Sequence, residues 1–291
     1  MSNNSMIGPP YGPVLNGTMV IVFWEYRPSD TAALAFVALF ALLTVAHIVM
    51  MFMYRAWCFI PFVLGGISET FGYYERYQAH SQPATLGPWI LQNLLILMSA
   101  PFLAATVYMS LGRLTGALGG HRSRWLSKLY VLLDIVVLIS QLVGTVMPAS
   151  GDAKVVAMAA HIILAGLIVQ VVALGGFIVI AWKAYTGLRN GAVEVMGVKW
   201  ENYFRAVMVV TGLIVVRSLV RMVEYIQGSD GFVISHEIFI YLFDAPLMWL
   251  CMVVFVVLHP GRLIKSTQRS GKEGWSPEDR IPLGSYNGVE G

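Results

Sequence analysis

The chain has 291 residues, of which 57% are hydrophobic and only 12% charged, about half the charged share of an ordinary soluble domain. Its mean hydropathy is +0.69. A water-soluble fold of this size buries roughly three quarters of its chain surface, too little to hide so much apolar area, so a soluble globular fold is excluded. The net charge is +3, and its distribution along the chain is more informative than its size.

The first 30 residues are polar and rich in Gly, Pro and Asn, and read as an irregular tail without a basic, cleavable leader pattern. Two sequons, at Asn3 and Asn16, mark it as a candidate glycosylated segment. Arg27-Pro28-Ser29-Asp30 offers Ser29 or Asp30 as the cap of a first helix. Seven apolar stretches then follow, at about 31–54, 57–74, 86–109, 126–147, 155–182, 201–224 and 236–258, each near the length of about 20 residues needed to cross a hydrocarbon core. The second begins so soon after the first that a tight turn at Arg55–Ala56 must join them. Short polar or basic loops are expected at 75–85, 112–125 and 183–200. His259-Pro260-Gly261 ends the last helix, and a polar, disordered tail is expected over 259–291. The expected architecture is an all-α, seven-helix transmembrane domain over 31–258 between two tails.

Loop charges orient it. With the N-terminus outside, the outer segments carry Arg27, Arg76 and Lys154. The inner ones carry fourteen Lys and Arg, from Arg55 and Arg113 through Lys183 and Arg205 to Lys272 and Arg280. Positive residues concentrate on the cytosolic side, so the N-terminus is expected outside and the C-terminus in the cytosol. The N-terminal sequons agree. The plasma membrane is favoured over internal membranes.

Ionisable groups inside spans are costly, roughly 2.5–3.5 kcal/mol each on insertion scales, and mark candidate sites. With the polar amides Gln92 and Gln141 added, the set is Glu69, Tyr73 and Arg76 on the second span; Gln92 on the third; Asp134 and Gln141 on the fourth; His161 on the fifth; Arg217, Arg221 and Glu224 on the sixth; and His236, Glu237, Tyr241 and Asp244 on the seventh. The spacing i, i+4, i+7 recurs in Glu69/Tyr73/Arg76, Arg217/Arg221/Glu224 and Glu237/Tyr241/Asp244, one stripe per helix. With the orientation above, all but Asp134 converge on the outer half of the membrane. Glu69, Glu224, Glu237 and Asp244 are the natural partners of the two arginines.

Such a cluster reads either as ion pairs locking the bundle or as a polar cavity for a ligand with an anionic or zwitterionic head. A zinc site drawn from Glu69, His161, His236, Glu237 and Asp244 is disfavoured, because no HExxH and no histidine pair at helical spacing is present. No cofactor is expected. There is no GxxxxGK[ST] run for direct use of ATP, and no nucleic-acid partner is expected. Cys58 and Cys251 read as packing residues, and His47 and His259 as interfacial or packing residues.

The run Glu69-Thr-Phe-Gly-Tyr73-Tyr-Glu-Arg76 resembles the E-x-x-G-Y-x-x-R signature of the fungal lipid-translocating exporter (RTA-like) family, known for resistance to aminocholesterol. Further matches follow in order: Gln92, Ala100-Pro101, Ala104-Ala105-Thr-Val-Tyr108 and Gly112-Arg113; Asp134, Gln141 and Gly144; Gly166 and Gln170; Arg217, Arg221 and Glu224; Gly228, His236-Glu237, Tyr241 and Asp244. Gly144-Thr145 stands where that family often has Gly-Gly. The resemblance covers about residues 26–262. It implies a seven-span fold and export of amphipathic molecules such as sphingoid bases, sterols, porphyrins or hydrophobic metabolites, with membrane lipids as surroundings. Two other readings stay open: a membrane-embedded hydrolase or cyclase acting on a lipid or terpenoid, and a seven-span sensor or receptor.

Overall fold

The computed structural model describes residues 11–15, 18–21, 29–81, 85–118, 124–147, 153–190, 199–227 and 240–265. Asn3, Asn16, His236 and Glu237 lie outside them.

Among the described residues, seven α-helices carry the fold: α1 (Asp30–Tyr54), α2 (Ile60–Ser81), α3 (Leu86–Ala117), α4 (Arg124–Val146), α5 (Ala153–Asn190), α6 (Trp200–Gln227) and α7 (Ala245–Val257). Successive helices pack side by side, α7 closes on α1, and α3 also touches α6 across the middle. Among the described residues, α1, α3, α4, α5, α6 and the run Ile240–Lys265 that contains α7 are long and apolar enough to cross a membrane; α2 is not among them.

The second helix shows why composition alone passes it over. Its outward face carries exposed Leu64, Ile67, Phe71 and Tyr74, while Glu69, Tyr73 and Arg76 are buried against the other helices. That polarity, charge inside and apolar outside, is the inverse of a helix in water and suits a bundle whose solvent is lipid. The other helices agree: Leu42, Val45, Leu132, Val136, Val172 and Val179 are exposed on their outer faces. At about 1.5 Å per residue, the 22 residues of α2 reach about 33 Å.

Ser29 caps α1, its hydroxyl accepting from the Ala32 N–H at 3.4 Å. The expected tight turn is present: Arg55 adopts φ 51°, ψ 37°, and its N–H and that of Ala56 bond back to Phe52 and Met51. A 3₁₀ turn, Trp57–Phe59, leads into α2.

Several boundaries differ from the sequence expectation. Residues 75–81 belong to α2, not to a loop, because Arg76 and Ala79 are buried. Arg76 is therefore a bundle residue, not an outer-loop charge. Residues 112–117 continue α3 and 183–190 continue α5, so these helices project past the apolar stretches that announced them. After the break at Leu258–His259, residues 260–265 are helical, with Leu263 buried and Arg262 Nε donating to the Tyr54 hydroxyl at 3.0 Å. The N-terminal tail is not wholly irregular. Strands β1 (Tyr11–Leu15) and β2 (Thr18–Ile21) pair antiparallel, Leu15 opposite Thr18 and Val14 opposite Met19.

His47 and His259 are packing residues, as expected. His47 Nε2 bonds the Met252 carbonyl at 3.0 Å, and His259 stacks on Phe59 at 4.1 Å. Cys58 and Cys251 are buried and free.

Close approach of α2 to α3 depends on glycine. A Cβ at Gly72 would lie 2.6 Å from Ile96 Cγ1 and 3.3 Å from the Ile96 backbone nitrogen. Gly72→Val is expected to lower stability by about 1–3 kcal/mol through overpacking, read as a lower unfolding temperature in detergent.

Candidate functional site

Among the described residues, a buried ionic network lies where α2, α3 and α6 meet the start of α7. Arg217 and Arg221 are one turn apart on α6, and both are buried. Both point at one carboxylate. Arg217 Nε donates to Asp244 Oδ1 at 2.5 Å, and Arg221 Nη2 donates to Asp244 Oδ2. Arg221 Nη1 also donates to Glu224 Oε2 at 3.0 Å, and Arg217 Nη2 to the Ile96 carbonyl at 2.6 Å. Ser99 Oγ also lies 2.7 Å from that carbonyl, so its one proton is shared between this oxygen and Glu69. Nearby, Pro101 removes the backbone N–H that would bond Leu97 O, so the α3 ladder is interrupted close to where the arginine inserts.

Asp244 reaches both arginines because α7 does not start as a regular α-helix. Ile240–Asp244 form a π-helical turn, followed by Ala245 and Pro246. Proline has no N–H for the carbonyl four residues back, and its ring crowds that carbonyl; a π-turn is one way a helix absorbs the conflict. The expected α-helical stripe through Tyr241 and Asp244 is thereby corrected. The two residues do face the bundle, but from a widened turn.

Glu69 is fully buried on α2. The Ser99 hydroxyl donates to its Oε1 at 2.5 Å, and Arg217, Arg221 and Asp244 lie within electrostatic reach. Asp244, not Glu69, is the direct partner of the arginines. Tyr73, one turn on, is buried in an aromatic group with Phe36, Phe40 and Tyr241, its ring stacked on Phe40 at 5.6 Å. Arg76 Nε donates to the Tyr241 hydroxyl at 2.9 Å, and its guanidinium lies 5.2 Å from the Tyr241 ring centre. Tyr241→Phe removes an acceptor from this buried cation and is expected to cost about 1–3 kcal/mol, measured by thermal unfolding.

The network is only partly satisfied. Among the described residues, Arg217 Nη1, Arg221 Nε, Glu69 Oε2, the Tyr73 hydroxyl, Gln92 Oε1 and Ser218 Oγ are buried without a hydrogen-bond partner. Buried polar groups are nearly always paired, so these spare donors and acceptors, on three adjoining helices, set the cluster apart.

The structure thus brings together Glu69, Tyr73, Arg76, Arg217, Arg221, Glu224, Tyr241 and Asp244, and adds Ser99 and the Ile96 carbonyl, which no stripe had flagged. Gln92 is buried on α3. Asp134 and Gln141 are buried on α4, away from α2 and α7. His161 sits on an exposed face of α5, outside the cluster. Among the described residues, no three His, Cys, Asp or Glu side chains are grouped as metal ligands.

The family model described as "RTA1 like protein" matches residues 62–267. The chain is 31% identical to Protoporphyrin uptake protein 1 of Saccharomyces cerevisiae, over 81% of this chain and 91% of that protein. It is 28% identical to Probable lipid transporter atnI of Emericella nidulans, over 82% and 67%. It is 25% identical to Sphingoid long-chain base transporter RSB1 of Saccharomyces cerevisiae, over 80% and 72%. No solved structure matches the chain. The matched segment takes in α2 through α7 with the whole charged cluster, and the chain belongs to the RTA1-like family.

Proposed function

We propose that this protein moves an amphipathic, lipid-like molecule across or out of a membrane, and that the cluster on α2, α6 and α7 holds its polar head. One observation carries the reading. Two arginine N–H groups, Arg217 Nη1 and Arg221 Nε, and one carboxylate oxygen, Glu69 Oε2, are buried together without partners among the described residues. A head with both an acceptor and a donor, as an amino alcohol has, matches that set. Relatives named as a lipid transporter and as a sphingoid long-chain base transporter support the class. The N-terminal side is taken as the outside, supported by the basic residues gathered at the opposite ends of the helices. The membrane is taken to be the plasma membrane.

The test is reconstitution into liposomes with a fluorescent sphingoid base. Movement of the probe between leaflets above the protein-free rate supports the reading. A rate equal to that of protein-free vesicles overturns it. Chemical conversion of the probe would replace it with the enzyme reading.

A further inference from the structure

A second set of buried polar groups lies outside that cluster. Asp134 on α4 is 3% exposed, and neither of its carboxylate oxygens has a hydrogen-bond partner among the described residues. The same holds for both amide atoms of Gln141 on α4 and of Gln170 on α5, and for the Tyr108 hydroxyl on α3, all fully or almost fully buried.

Their register puts them in line. The Tyr130 hydroxyl, one turn before Asp134, lies 3.1 Å from where a Cβ on Gly176 would stand, and Gly166 meets Ser140 and the Val137 carbonyl. The stretch of α5 between Gly166 and Gly176 therefore runs beside the stretch of α4 between Tyr130 and Val137, which sets Gln170 level with Asp134. On the other side, Ser127 Oγ donates to the Tyr108 carbonyl at 3.2 Å, and the Tyr108 and Tyr130 rings are 5.0 Å apart. Tyr108 is within electrostatic reach of Asp134. Continued along the antiparallel helices, that pairing brings Gln141 level with the part of α3 whose Ile96 carbonyl holds Arg217.

The line begins at a cavity. A space of about 290 Å³ opens between α3, α4 and α5, lined by Tyr108, Ser127, Tyr130, Phe177 and Lys183 among others. A water molecule occupies about 30 Å³ in the liquid and needs polar partners; this cavity offers both room and hydroxyls. The titratable groups near Asp134 among the described residues are Tyr108 of α3 and Tyr130 of its own helix, while Lys183 of α5 stands further along, at the cavity. No described basic side chain forms an ion pair with Asp134. A carboxyl group in a membrane bundle with no countercharge is suited to taking up and releasing a proton.

We propose that Asp134 is a proton-binding site on a hydrated path that runs from the cavity, past Tyr108, Gln170 and Gln141, toward the arginine pair, and that its protonation couples proton movement to transport. The carboxylate takes a proton from water on the cavity side and returns it to water on the other. The amides hold the water chain and do not titrate. The coupling rests on the transport reading above; the proton site does not.

Infrared difference spectroscopy on the reconstituted full-length protein tests the site. A protonated-carboxyl band that appears as pH falls, shifts in D₂O and is lost in Asp134→Asn is expected. A wild-type protein with no exchangeable band assignable to Asp134 overturns the proposal. Coupling is read with the fluorescent sphingoid base under an imposed pH gradient. Asp134→Asn is expected to lose the gradient-dependent part of the rate while keeping downhill exchange, and Asp134→Glu to retain both. An unchanged gradient response in Asp134→Asn overturns coupling. If Asp134→Asn fails to fold, the D₂O shift of the wild-type band and its displacement in Asp134→Glu decide the site. If the wild type moves no probe, the transport reading fails and the infrared result still decides the proton site.

Discussion

Asp244→Ala is expected to destabilise the bundle by about 3–5 kcal/mol, the range for removing one partner of a buried ion pair. Asp244 is the shared acceptor for Arg217 and Arg221, and all three side chains are almost wholly buried. Without it, Arg217 keeps only the Ile96 carbonyl and Arg221 only Glu224 among the described partners. Two cations in a low-dielectric interior would then share one directly paired carboxylate, the one at the more accessible end of the network. Denaturant or thermal unfolding in detergent measures the cost. Replacing the ionic set by apolar residues of similar volume, Asp244→Leu with Arg217→Met and Arg221→Met, should recover much of the stability while abolishing transport. A loss below about 1 kcal/mol for Asp244→Ala, the range of exposed pairs, would contradict the burial described here.

Arg221→Ala is expected to act chiefly on function. Asp244 keeps Arg217 as its partner, and the carboxylate that loses its described cation, Glu224, is the more accessible one. What disappears is the guanidinium with an unused, inward Nε–H. A hydrogen bond from a charged donor contributes about 1.5–3 kcal/mol, or about ten- to a hundredfold in affinity. The transport KM for a sphingoid-base probe should rise by that factor, with the unfolding temperature less affected than in Asp244→Ala. Arg221→Lys should not restore it, since an ammonium cannot reproduce the planar fork that reaches Asp244, Glu224 and a ligand together. Equal transport by Arg221→Ala and wild type would remove Arg221 from the site.

The contrast between α6 and α7 shows what the sequence made legible. The stripe on α6 was readable because α6 is regular: Arg217, Arg221 and Glu224 fall where a 3.6-residue period puts them. On α7 the same arithmetic puts Tyr241 and Asp244 on one inward face, where they do lie, but on a regular α-helix, where the structure has a π-turn. The cause, Pro246 and the π-turn before it, is a local backbone conflict that side-chain periodicity does not register. The second helix was underestimated in length because Glu75 and Arg76 look like loop residues. Their helical placement follows from burial of Arg76 against Tyr241, a contact 165 residues away in sequence. Ser99 as the donor to Glu69, and Ile96 as the acceptor of Arg217, depend on where two helices touch, which no single-helix pattern contains. His161 shows the converse: a polar residue in an apolar span that the packing leaves on an exposed face.

The network around Arg217, Arg221 and Asp244 is proposed to receive the polar head of an amphipathic ligand. Photolabelling with a diazirine-bearing sphingoid base, followed by peptide mapping of the reconstituted protein, tests it most directly. Labels concentrated on α2, α6 and α7 near Tyr73, Arg221 and Tyr241, reduced by unlabelled base and weakened in Arg221→Ala, are the predicted result. Labels confined to the exposed faces around Leu42, Leu132 and Val172, unchanged by competitor, would contradict it.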